Sequence, residues 1–454
     1  MKRRIAAILL VLAMVFSLAA CGSSPKSEPS DAGTTGGVNT APDAAAGEAS
    51  SGEAATVTEP IVITLWHTRG AGANGTEMDR VVKEFNETNE YGITVQAEYI
   101  GGYSTIMPRT LTSIASGNNP VLVMSSAQNM TTLMSRGVLA DMKPYMERDG
   151  FDMSVFPEAL MKYSYYNGQV ITLPYLVSTC IMVYNRDLFD RAGVAVPTTV
   201  DELEAAGQAI YAKTGVQAFA MPIDPTYMQD ALLNSLGGVG IIDEDGVTTS
   251  CLTNGSFVQM ADDWRSWIEA GWCKAPNITS SGTDMLEAFY QGKLASFLVS
   301  SGSLQNIMDQ CSGTINVDVA YMPGYGKVAT NIGGANIAII ERNHSSQEVA
   351  AAWEFVKFLM SDEQLALNAV NTGYLPVTKT SAATQTVADY WAKLPQAKTA
   401  YEQLDWAYVC AFSLYTSEWY DQMTSALSYV VQAMNMTGEE AAGYLQKQYN
   451  SIFE

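Results

Sequence analysis

Two histidines, His67 and His344, are the only imidazole side chains in this chain of 454 residues. His67 follows an apolar run in the predicted core, where an imidazole could act as a general base. The alternative is a side chain that forms a hydrogen bond at the end of a strand, and we favour that interpretation. The sequence contains no GxSxG, HExxH or P-loop motif. The sequence therefore shows no catalytic constellation, and no enzyme activity is expected.

The spacing of the cysteines argues against a metal site. Six cysteines occur, and no two of them form a CxxC pair. The five that follow Cys21 are widely spaced, at Cys180, Cys251, Cys273, Cys311 and Cys410. Structural zinc sites need clustered Cys and His ligands, so no metal is expected. An exported chain could form one disulfide, but we expect buried free thiols.

Cys21 closes a segment with the pattern of an export signal. Basic residues at positions 2–4 precede an apolar stretch over residues 5–18, which is too short to span a membrane as a stable helix. Residues 17–21 (SLAAC) resemble the lipobox of bacterial lipoproteins, in which the cysteine is acylated and begins the mature protein. We therefore expect a lipoprotein signal peptide over residues 1–20 and a lipid on Cys21. The alternative is an ordinary signal peptide with an incidental cysteine.

The segment after Cys21 is predicted to be a tether. Residues 22–58 contain no aromatic residue, Leu or Ile, so they cannot bury enough apolar surface to offset the entropy of ordering. We expect a lipid-anchored, disordered linker over residues 21–58, which holds the body at the extracytoplasmic face of the cell membrane. The chain carries a formal charge of −22 and no Lys/Arg run in the body, which excludes nucleic acid as an expected partner. No second apolar run reaches transmembrane length.

Residues 70–75 (GAGANG) match the GxGxxG pattern of dinucleotide-binding loops. Such a loop must connect a strand directly to a helix. Here residues 66–69 separate the apolar strand from the first glycine, and an exported protein meets no NAD pool. We instead expect a flexible loop whose following helix presents free N–H groups to a ligand. No cofactor is expected.

Alternating strand and helix patterns must position these residues. Strands are predicted by apolar or alternating runs at 61–66, 93–99, 121–124 and 180–184, and helices by the patterns at 78–85, 105–116 and 349–359. Capping boxes begin helices at Thr199–Glu202 and Ser345–Glu348, and the chain is predicted to be helical and aromatic-rich from Gln385 onward. This order predicts an α/β fold with a mainly parallel sheet and helices on both faces. The length of the body predicts two lobes.

Many short segments between residues 60 and 454 resemble one family. They are LWHT at 65–68, FN at 85–86, GGY at 101–103, GNNP at 117–120, YNRDLF at 184–189, AG at 192–193, FYQGK at 289–293, SSGSL at 300–304, GGAN at 333–336 and TGYLPV at 372–377. In their number and order they resemble the family 1 extracellular solute-binding proteins of ABC transporters, and within that family the glycerol-3-phosphate and sugar-binding branch. The resemblance implies a two-lobe periplasmic-binding-protein-like fold (type II-like), with hinge crossings and a ligand cleft between the lobes.

The resemblance also implies a domain organisation and a set of partners. The N-terminal lobe is expected at 59–176 plus 331–374 and the C-terminal lobe at 177–330 plus 375–454, with crossings near 174–178, 322–330 and 375–378. Hinge closure in this family delivers the ligand to a membrane permease. The implied partners are a small-molecule ligand, ABC transporter permease subunits and, through the lipid on Cys21, the membrane. A monomer is expected, and a role in sensing is an alternative to transport.

The branch also implies which residues contact the ligand. Its binding positions match Tyr103, Ser178, Ser300, Gly334 and Tyr374, and its paired tryptophans fall at Asp224 and Tyr227. Hydroxyls and backbone N–H groups bind polar ligand atoms, and aromatic rings pack on C–H faces. The alternative for each position is a structural turn residue.

Departures from the branch change the expected ligand. Its glutamate falls at Ala127, and its C-terminal arginine has no counterpart because Arg342 is the last arginine of the chain. A buried phosphate would lack its best bidentate partner, and Asp224 would repel it while accepting hydrogen bonds from sugar hydroxyls. We therefore predict a mono- or oligosaccharide that is delivered to an ABC importer. The alternatives are glycerol-3-phosphate or a glycerophosphodiester, and, in another class, an extracellular carbohydrate-active enzyme.

Overall fold

The computed structural model describes residues 54–240, 250–280, 282–409, 413 and 415–453. Its strands are β1 Ile61–His67, β2 Ile93–Tyr99, β3 Leu122–Ser125, β4 Tyr165–Tyr166, β5 Gln169–Val170, β6 Leu173–Asn185, β7 Ser296–Ser300, β8 Val317–Tyr321 and β9 Ile332–Ile339.

Its α-helices are α1 Ala73–Thr88, α2 Tyr103–Ser116, α3 Ala127–Met134, α4 Lys143–Asp149, α5 Arg186–Ala192, α6 Val200–Thr214, α7 Asp230–Ser235, α8 Ser250–Thr253, α9 Ser256–Glu269, α10 Thr283–Tyr290, α11 Leu304–Cys311, α12 Ser346–Leu359, α13 Asp362–Thr372, α14 Lys379–Ala382, α15 Gln385–Lys393, α16 Pro395–Glu402, α17 Thr416–Val431 and α18 Gly438–Phe453. In the described part of the chain, none of the helices combines the length and the apolar character needed to cross a membrane.

The first three strands form the parallel part of the main sheet. β1 pairs in parallel with β2 on one side and with β3 on the other. Helix α1 packs Val81 and Phe85 into the same buried cluster as Ile63 of β1, while Ile106 of α2 packs with Val123 of β3 in another cluster. The predicted alternation of strands and helices is confirmed here, because each crossover helix buries one apolar side against the sheet.

The prediction of a mainly parallel sheet is wrong beyond β3. The pairs β3–β9, β6–β9, β6–β7 and β6–β8 are all antiparallel. Strand β9 pairs with the first half of β6, and β8 pairs with the second half. The residues that connect β8 to β9 form no crossover helix of the kind that joins neighbouring parallel strands. Buried parallel and buried antiparallel strands both appear as continuous apolar runs, so the sequence could not distinguish them.

Strand β6 belongs to two regions of sheet. Its thirteen residues are all buried. Residues 173–179 pair with β9, and residues 180–185 pair with β7 and β8. Alternate side chains of its second half enter different cores, with Ile181 in one cluster and Met182 in the other. A strand shared in this way gives the two-lobe α/β architecture, although the residue limits of the lobes stay a prediction.

The second core is built largely by helices. Trp264 of α9 and Trp419 of α17 are fully buried there, together with Trp272 and Leu445. The described residues after Gln385 lie mostly in helices α15–α18, which confirms the helical prediction for that segment. Both predicted capping boxes are present, one at the start of α6 and one at the start of α12.

The first described residues lie against the body. The Thr58 backbone N–H donates to Gln347 Oε1 (3.0 Å), and Gln347 Nε2 donates to the carbonyl of Thr56 (2.7 Å). Arg148 Nη1 donates to the carbonyl of Ala55 (2.7 Å). Residues 54–58 therefore do not belong to the disordered linker expected over 21–58. The rest of that linker, with Cys21 and the signal peptide, lies outside the described residues.

Four cysteines are buried free thiols: Cys180, Cys251, Cys273 and Cys311. This confirms the expectation of free thiols for these positions. Cys410 lies outside the described residues.

Candidate functional site

A cleft of about 650 Å³ lies beside the point at which β6 changes partners. Its walls come from β6, from the end of β7, from Ser126 after β3, from the start of β9 and from helices α2, α3 and α17. All seven residues predicted to contact a ligand line it: Tyr103, Ser178, Asp224, Tyr227, Ser300, Gly334 and Tyr374. The structure thus brings these distant positions together, and their contact with a ligand stays a prediction.

Tyr103 connects helix α2 to strand β9 at the wall of this cleft. It begins α2, and its hydroxyl donates a hydrogen bond to the carbonyl of Gly334 in β9 (3.2 Å). Asn129 of α3 holds the backbone of Tyr103 by donating to its carbonyl (3.0 Å). Burial, with a smaller contribution from Tyr374, raises the pKa of the Tyr103 phenol well above its usual value. Tyr103 is therefore a neutral hydroxyl at the cleft wall.

Two adjacent glycines of β9 permit two close contacts, one with strand β6 and one with a tyrosine ring. Gly334 has a φ of +122°, and a Cβ there would lie 1.8 Å from the carbonyl oxygen of Leu176. A Cβ on Gly333 would lie 2.7 Å from the ring of Tyr227. Only glycine fits such a backbone conformation and such close contacts. The Gly-Gly pair of the sequence therefore shapes the cleft floor.

Tyr227 and Ser178 form a pair on that floor. The Tyr227 hydroxyl donates to Ser178 Oγ (3.3 Å), and burial raises the pKa of Tyr227 well above its usual range. Tyr227 lies in a π-helical turn, Pro225–Gln229, and is only 7% exposed. Its ring fills space against Gly333, so it offers the cleft little more than an edge and a hydroxyl.

Ser300 and Tyr374 meet at the end of β7. The Ser300 hydroxyl accepts a hydrogen bond from the backbone N–H of Gly302 (3.3 Å). A Cβ on Gly302 would lie 2.8 Å from the ring of Tyr374, so the glycine seats this ring. Tyr374 follows the left-handed Gly373 that ends α13, and its backbone N–H donates to Thr372 Oγ1 (3.1 Å). The position of the Tyr374 ring is therefore set from two sides.

Asp224 gives the cleft an acidic character. Its half-buried carboxylate accepts a hydrogen bond from Thr226 Oγ1 (3.2 Å). Burial raises the pKa of Asp224 from 3.8 to about 6, and the bond from Thr226 opposes that rise only in part. Asp421 of α17 is a second carboxylate of the wall. Partial burial, together with Glu418, raises the pKa of Asp421 too.

Cationic side chains are missing from the described lining of the cleft. The undescribed residues after position 53 contain no Lys, Arg or His either, by their sequence. The cleft wall therefore combines carboxylates, hydroxyls, amides and aromatic rings. Such a wall can accept and donate hydrogen bonds but cannot pair with an anion.

Several lining residues were missed by sequence reasoning: Asn74, Ser104, Ser126, Gln128, Asn129, Thr132, Thr226, Ser303, Ser417, Tyr420 and Asp421. The sequence could have indicated Asn74, since this residue lies in the glycine-rich loop predicted to face a ligand. It could also have indicated Ser126, because this residue directly follows β3, and ligands of α/β proteins bind at the carboxyl ends of strands. It could not have indicated Tyr420 and Asp421, because a helical pattern does not show which element the helix packs against.

A buried guanidinium lies behind the cleft wall. Arg69 is 3% exposed, and its Nη1 donates to Asn368 Oδ1 (2.7 Å). Its guanidinium carbon lies 5.8 Å from the centre of the Tyr374 ring, within the range of a cation–π contact. Arg69 Nη2 lies 3.5 Å from Asn74 Oδ1. Arg69 therefore supports two residues of the wall without lining the cleft itself.

His67 has the structural role that we favoured. It ends β1, and its Nδ1 accepts a hydrogen bond from the backbone N–H of Arg69 (3.2 Å). Burial, and next the charge of Arg69, lower the pKa of His67 to about 4. A histidine that is neutral and bonded in this way fixes the turn after β1. The expectation of a hydrogen-bonded side chain at a strand end is confirmed.

Comparison with known proteins supports the same architecture. The sn-glycerol-3-phosphate-binding periplasmic protein UgpB of Escherichia coli K12 is 25% identical over 384 residues, which cover 79% of this chain and 83% of that protein. The GacH receptor of Streptomyces glaucescens, solved unliganded and with acarbose, superposes with a TM-score of 0.76 at 19% identity, covering 86% of this chain and 98% of that one. UgpB of Mycobacterium tuberculosis, solved in complex with glycerophosphocholine, superposes with a TM-score of 0.75 at 21% identity, covering 87% and 98%.

The family follows from a match over most of the chain. A family model described as bacterial extracellular solute-binding protein matches residues 80–399. The match includes most of the cleft-lining residues. The resemblance noted in the sequence is confirmed, and this chain belongs to the bacterial extracellular solute-binding proteins.

Proposed function

We propose that this chain is a lipid-anchored solute-binding protein that binds a carbohydrate, a mono- or oligosaccharide, and delivers it to an ABC importer. The observation that carries the ligand class is the chemistry of the cleft. Its wall has the carboxylates of Asp224 and Asp421, many hydroxyls and amides, and four tyrosines, with no cationic side chain among its described residues.

A neutral sugar complements such a wall. Its hydroxyls donate to carboxylates and exchange hydrogen bonds with Ser178, Ser300 and Asn129, and its C–H faces pack on tyrosine rings. A phosphate, by contrast, would stand against two carboxylates without a guanidinium or ammonium partner. The lining therefore favours a sugar over an anionic ligand.

One observation favours the competing ligand class, a glycerol phosphate or glycerophosphodiester. Arg69 lies directly behind Tyr374 and Asn74, close enough to the cleft for its charge to act on a bound anion. However, its side chain is held by Asn368 and covered by the Tyr374 ring. A phosphate in the cleft would feel this charge without forming a direct hydrogen bond to it, so we place this class second.

A ligand screen tests the proposal. The purified chain is heated with a panel of mono- and oligosaccharides, with glycerol-3-phosphate and with glycerophosphocholine, because a ligand that binds only the folded state raises the melting temperature. At least one neutral sugar is expected to raise it, and calorimetry then gives the affinity. Tight binding of either phosphate compound with no response to any sugar would overturn the proposed ligand class.

The recovered ligand separates binding from catalysis. After long incubation with the chain, the sugar is expected to be chromatographically unchanged. Asp224 and Asp421 line the same cleft, and glycoside hydrolases use a pair of carboxylates for catalysis. Cleaved products that disappear in the Asp224→Asn variant would favour the enzyme alternative.

A further inference from the structure

Arg69 is a buried cation that has no acidic partner among the described residues. The acceptors of its guanidinium are two amide oxygens, Asn368 Oδ1 (2.7 Å) and Asn74 Oδ1 (3.5 Å). Arg69 Nε has no hydrogen-bond acceptor in the described part of the chain. A buried charge that no carboxylate pairs with lowers the stability of a fold. Stability alone therefore does not account for an arginine at this position.

Arg80 offers a comparison, because it also reaches α13 from the first part of the chain. Its Nη2 donates to Gln364 Oε1 (2.7 Å), one helical turn before Asn368. It also binds the buried carboxylate of Glu77 (2.6 Å). Neither Gln364 nor Glu77 lines the ligand cleft. Arg80 therefore completes an ion pair of the fold, whereas Arg69 does not.

Arg69 contacts two residues of the cleft wall, and these two meet at a third. Its Nη2 lies 3.5 Å from Oδ1 of Asn74, at the start of α1, and its guanidinium carbon lies 5.8 Å from the centre of the Tyr374 ring. Asn74 Nδ2 donates to the carbonyl of Gly302 (3.4 Å), and the Tyr374 ring packs on the same glycine. Asn74, Gly302 and Tyr374 all line the cleft. Arg69 thus lies behind a closed set of contacts between three wall segments that are distant in the sequence.

The orientation of the guanidinium is fixed from the helix that precedes Tyr374. Nη1 of Arg69 donates to Asn368 Oδ1, and the carbonyl of Asn368 accepts a hydrogen bond from Thr372 Oγ1 (2.5 Å). The backbone N–H of Tyr374 donates to the same Thr372 oxygen (3.1 Å). Because a guanidinium is planar and its donors point in fixed directions, the bond to Asn368 directs Nη2 towards Asn74.

We propose that Arg69 is a positioning residue for ligand binding, which holds the amide of Asn74 and the ring of Tyr374 in one fixed arrangement at the cleft wall. This inference rests on the proposed function, because it needs a solute in the cleft. Arg69 is buried and does not line the cleft itself, so its contribution to affinity passes through these two side chains.

The test compares two arginine substitutions in the full chain. The probe is the neutral saccharide that raises the melting temperature most in the screen described above, and calorimetry measures its affinity. Arg69→Met is expected to weaken binding roughly tenfold, because it removes a cation–π contact and a hydrogen bond to the wall. Its urea midpoint is expected to shift little, since the lost bond to Asn368 is offset by the removal of a buried charge.

Arg80→Met is the matched control. It leaves the buried carboxylate of Glu77 without its cation, so it is expected to lower the urea midpoint clearly. It is expected to bind the saccharide as the wild type does, because Arg80 has no contact with the cleft wall among the described residues. The two variants should therefore separate, one losing affinity and the other losing stability.

A double-variant series shows which side chains Arg69 acts through. In a chain that carries Asn74→Ala and Tyr374→Leu, the addition of Arg69→Met is expected to change the affinity little, because the groups that Arg69 positions are gone. A further loss as large as in the wild-type background would overturn the inference, since Arg69 would then act on binding by another route.

Arg69→Lys keeps the test decisive if Arg69→Met does not fold. The ammonium retains the charge beside Tyr374 and a donor for Asn368, but it lacks the second arm that reaches Asn74. This variant is expected to fold and to bind several-fold more weakly than the wild type. Wild-type affinity in either Arg69 variant would overturn the inference and leave the proposed function intact. If no saccharide binds the wild type, the proposed function is wrong, and the inference is overturned with it.

Discussion

Replacing Asp224 by asparagine should make the unliganded protein more stable and the binding of sugar weaker. The substitution keeps the size of the side chain, and its remaining oxygen can still accept the hydrogen bond from Thr226. It removes the charge and replaces one acceptor oxygen by an N–H donor. Because the charged form is disfavoured by burial while it offers acceptors to a ligand, the two properties are expected to change in opposite directions.

The size of the stability change follows from the pKa of Asp224. In the folded chain it rises from 3.8 to about 6, so the carboxyl binds its proton more tightly folded than unfolded. Stability contributed by this group therefore falls as the pH rises through that interval, and the full penalty is present near pH 7. A shift of one pKa unit corresponds to about 1.4 kcal/mol, so the charged Asp224 lowers the free energy of unfolding by at most about 3 kcal/mol. Asp224→Asn should recover between about 1 and 3 kcal/mol at neutral pH.

Urea unfolding near pH 7 and near pH 4 measures this effect. The variant should be more stable than the wild type at neutral pH, and the difference should shrink towards the acid end, where Asp224 is protonated. Calorimetry with the identified sugar should show an affinity loss of roughly tenfold or more, because a charged acceptor makes the stronger hydrogen bond. Asp190→Asn, at an exposed position outside the cleft lining, is the control for a general loss of charge. Equal stability of Asp224→Asn and wild type at neutral pH would refute the reasoning about burial.

Four further predictions concern the anchor, two tyrosines of the cleft wall and a glycine of the cleft floor. Cys21→Ser should release the protein from the detergent phase of a membrane extract; a variant that stays with the membrane would contradict lipidation. Tyr103→Ala should weaken sugar binding by about 1–3 kcal/mol in calorimetry with a small change in unfolding free energy, since its ring is only half-buried; unchanged affinity would show that the cleft is placed wrongly. Tyr374→Ala should weaken binding similarly but also lower stability, because this ring packs on Gly302 and Arg69. Gly334→Ala should cost at least about 2 kcal/mol of stability in urea unfolding, from backbone strain and from the clash with Leu176; a wild-type midpoint would count against the described backbone.

Local structure was largely predictable from the sequence. The apolar run at 61–66, the alternation at 93–99 and the capping box at Thr199 all became the expected elements. Each depends on contacts between residues close in the chain, or on one buried face, and such preferences are visible as periodicity. The seven cleft positions also came from the sequence, through family resemblance rather than from periodicity.

Long-range packing was decided only by the tertiary structure. The antiparallel course of β9 along β6 depends on where the chain returns after β8, and an apolar run does not encode that direction. Arg69 was invisible as a support of the cleft because its partner Asn368 lies almost three hundred residues away. Asp421 faces the cleft only because α17 packs beside α3. The sequence alone determined the elements and the family, whereas the charge balance of the cleft arose when distant side chains were brought within a few ångströms of one another.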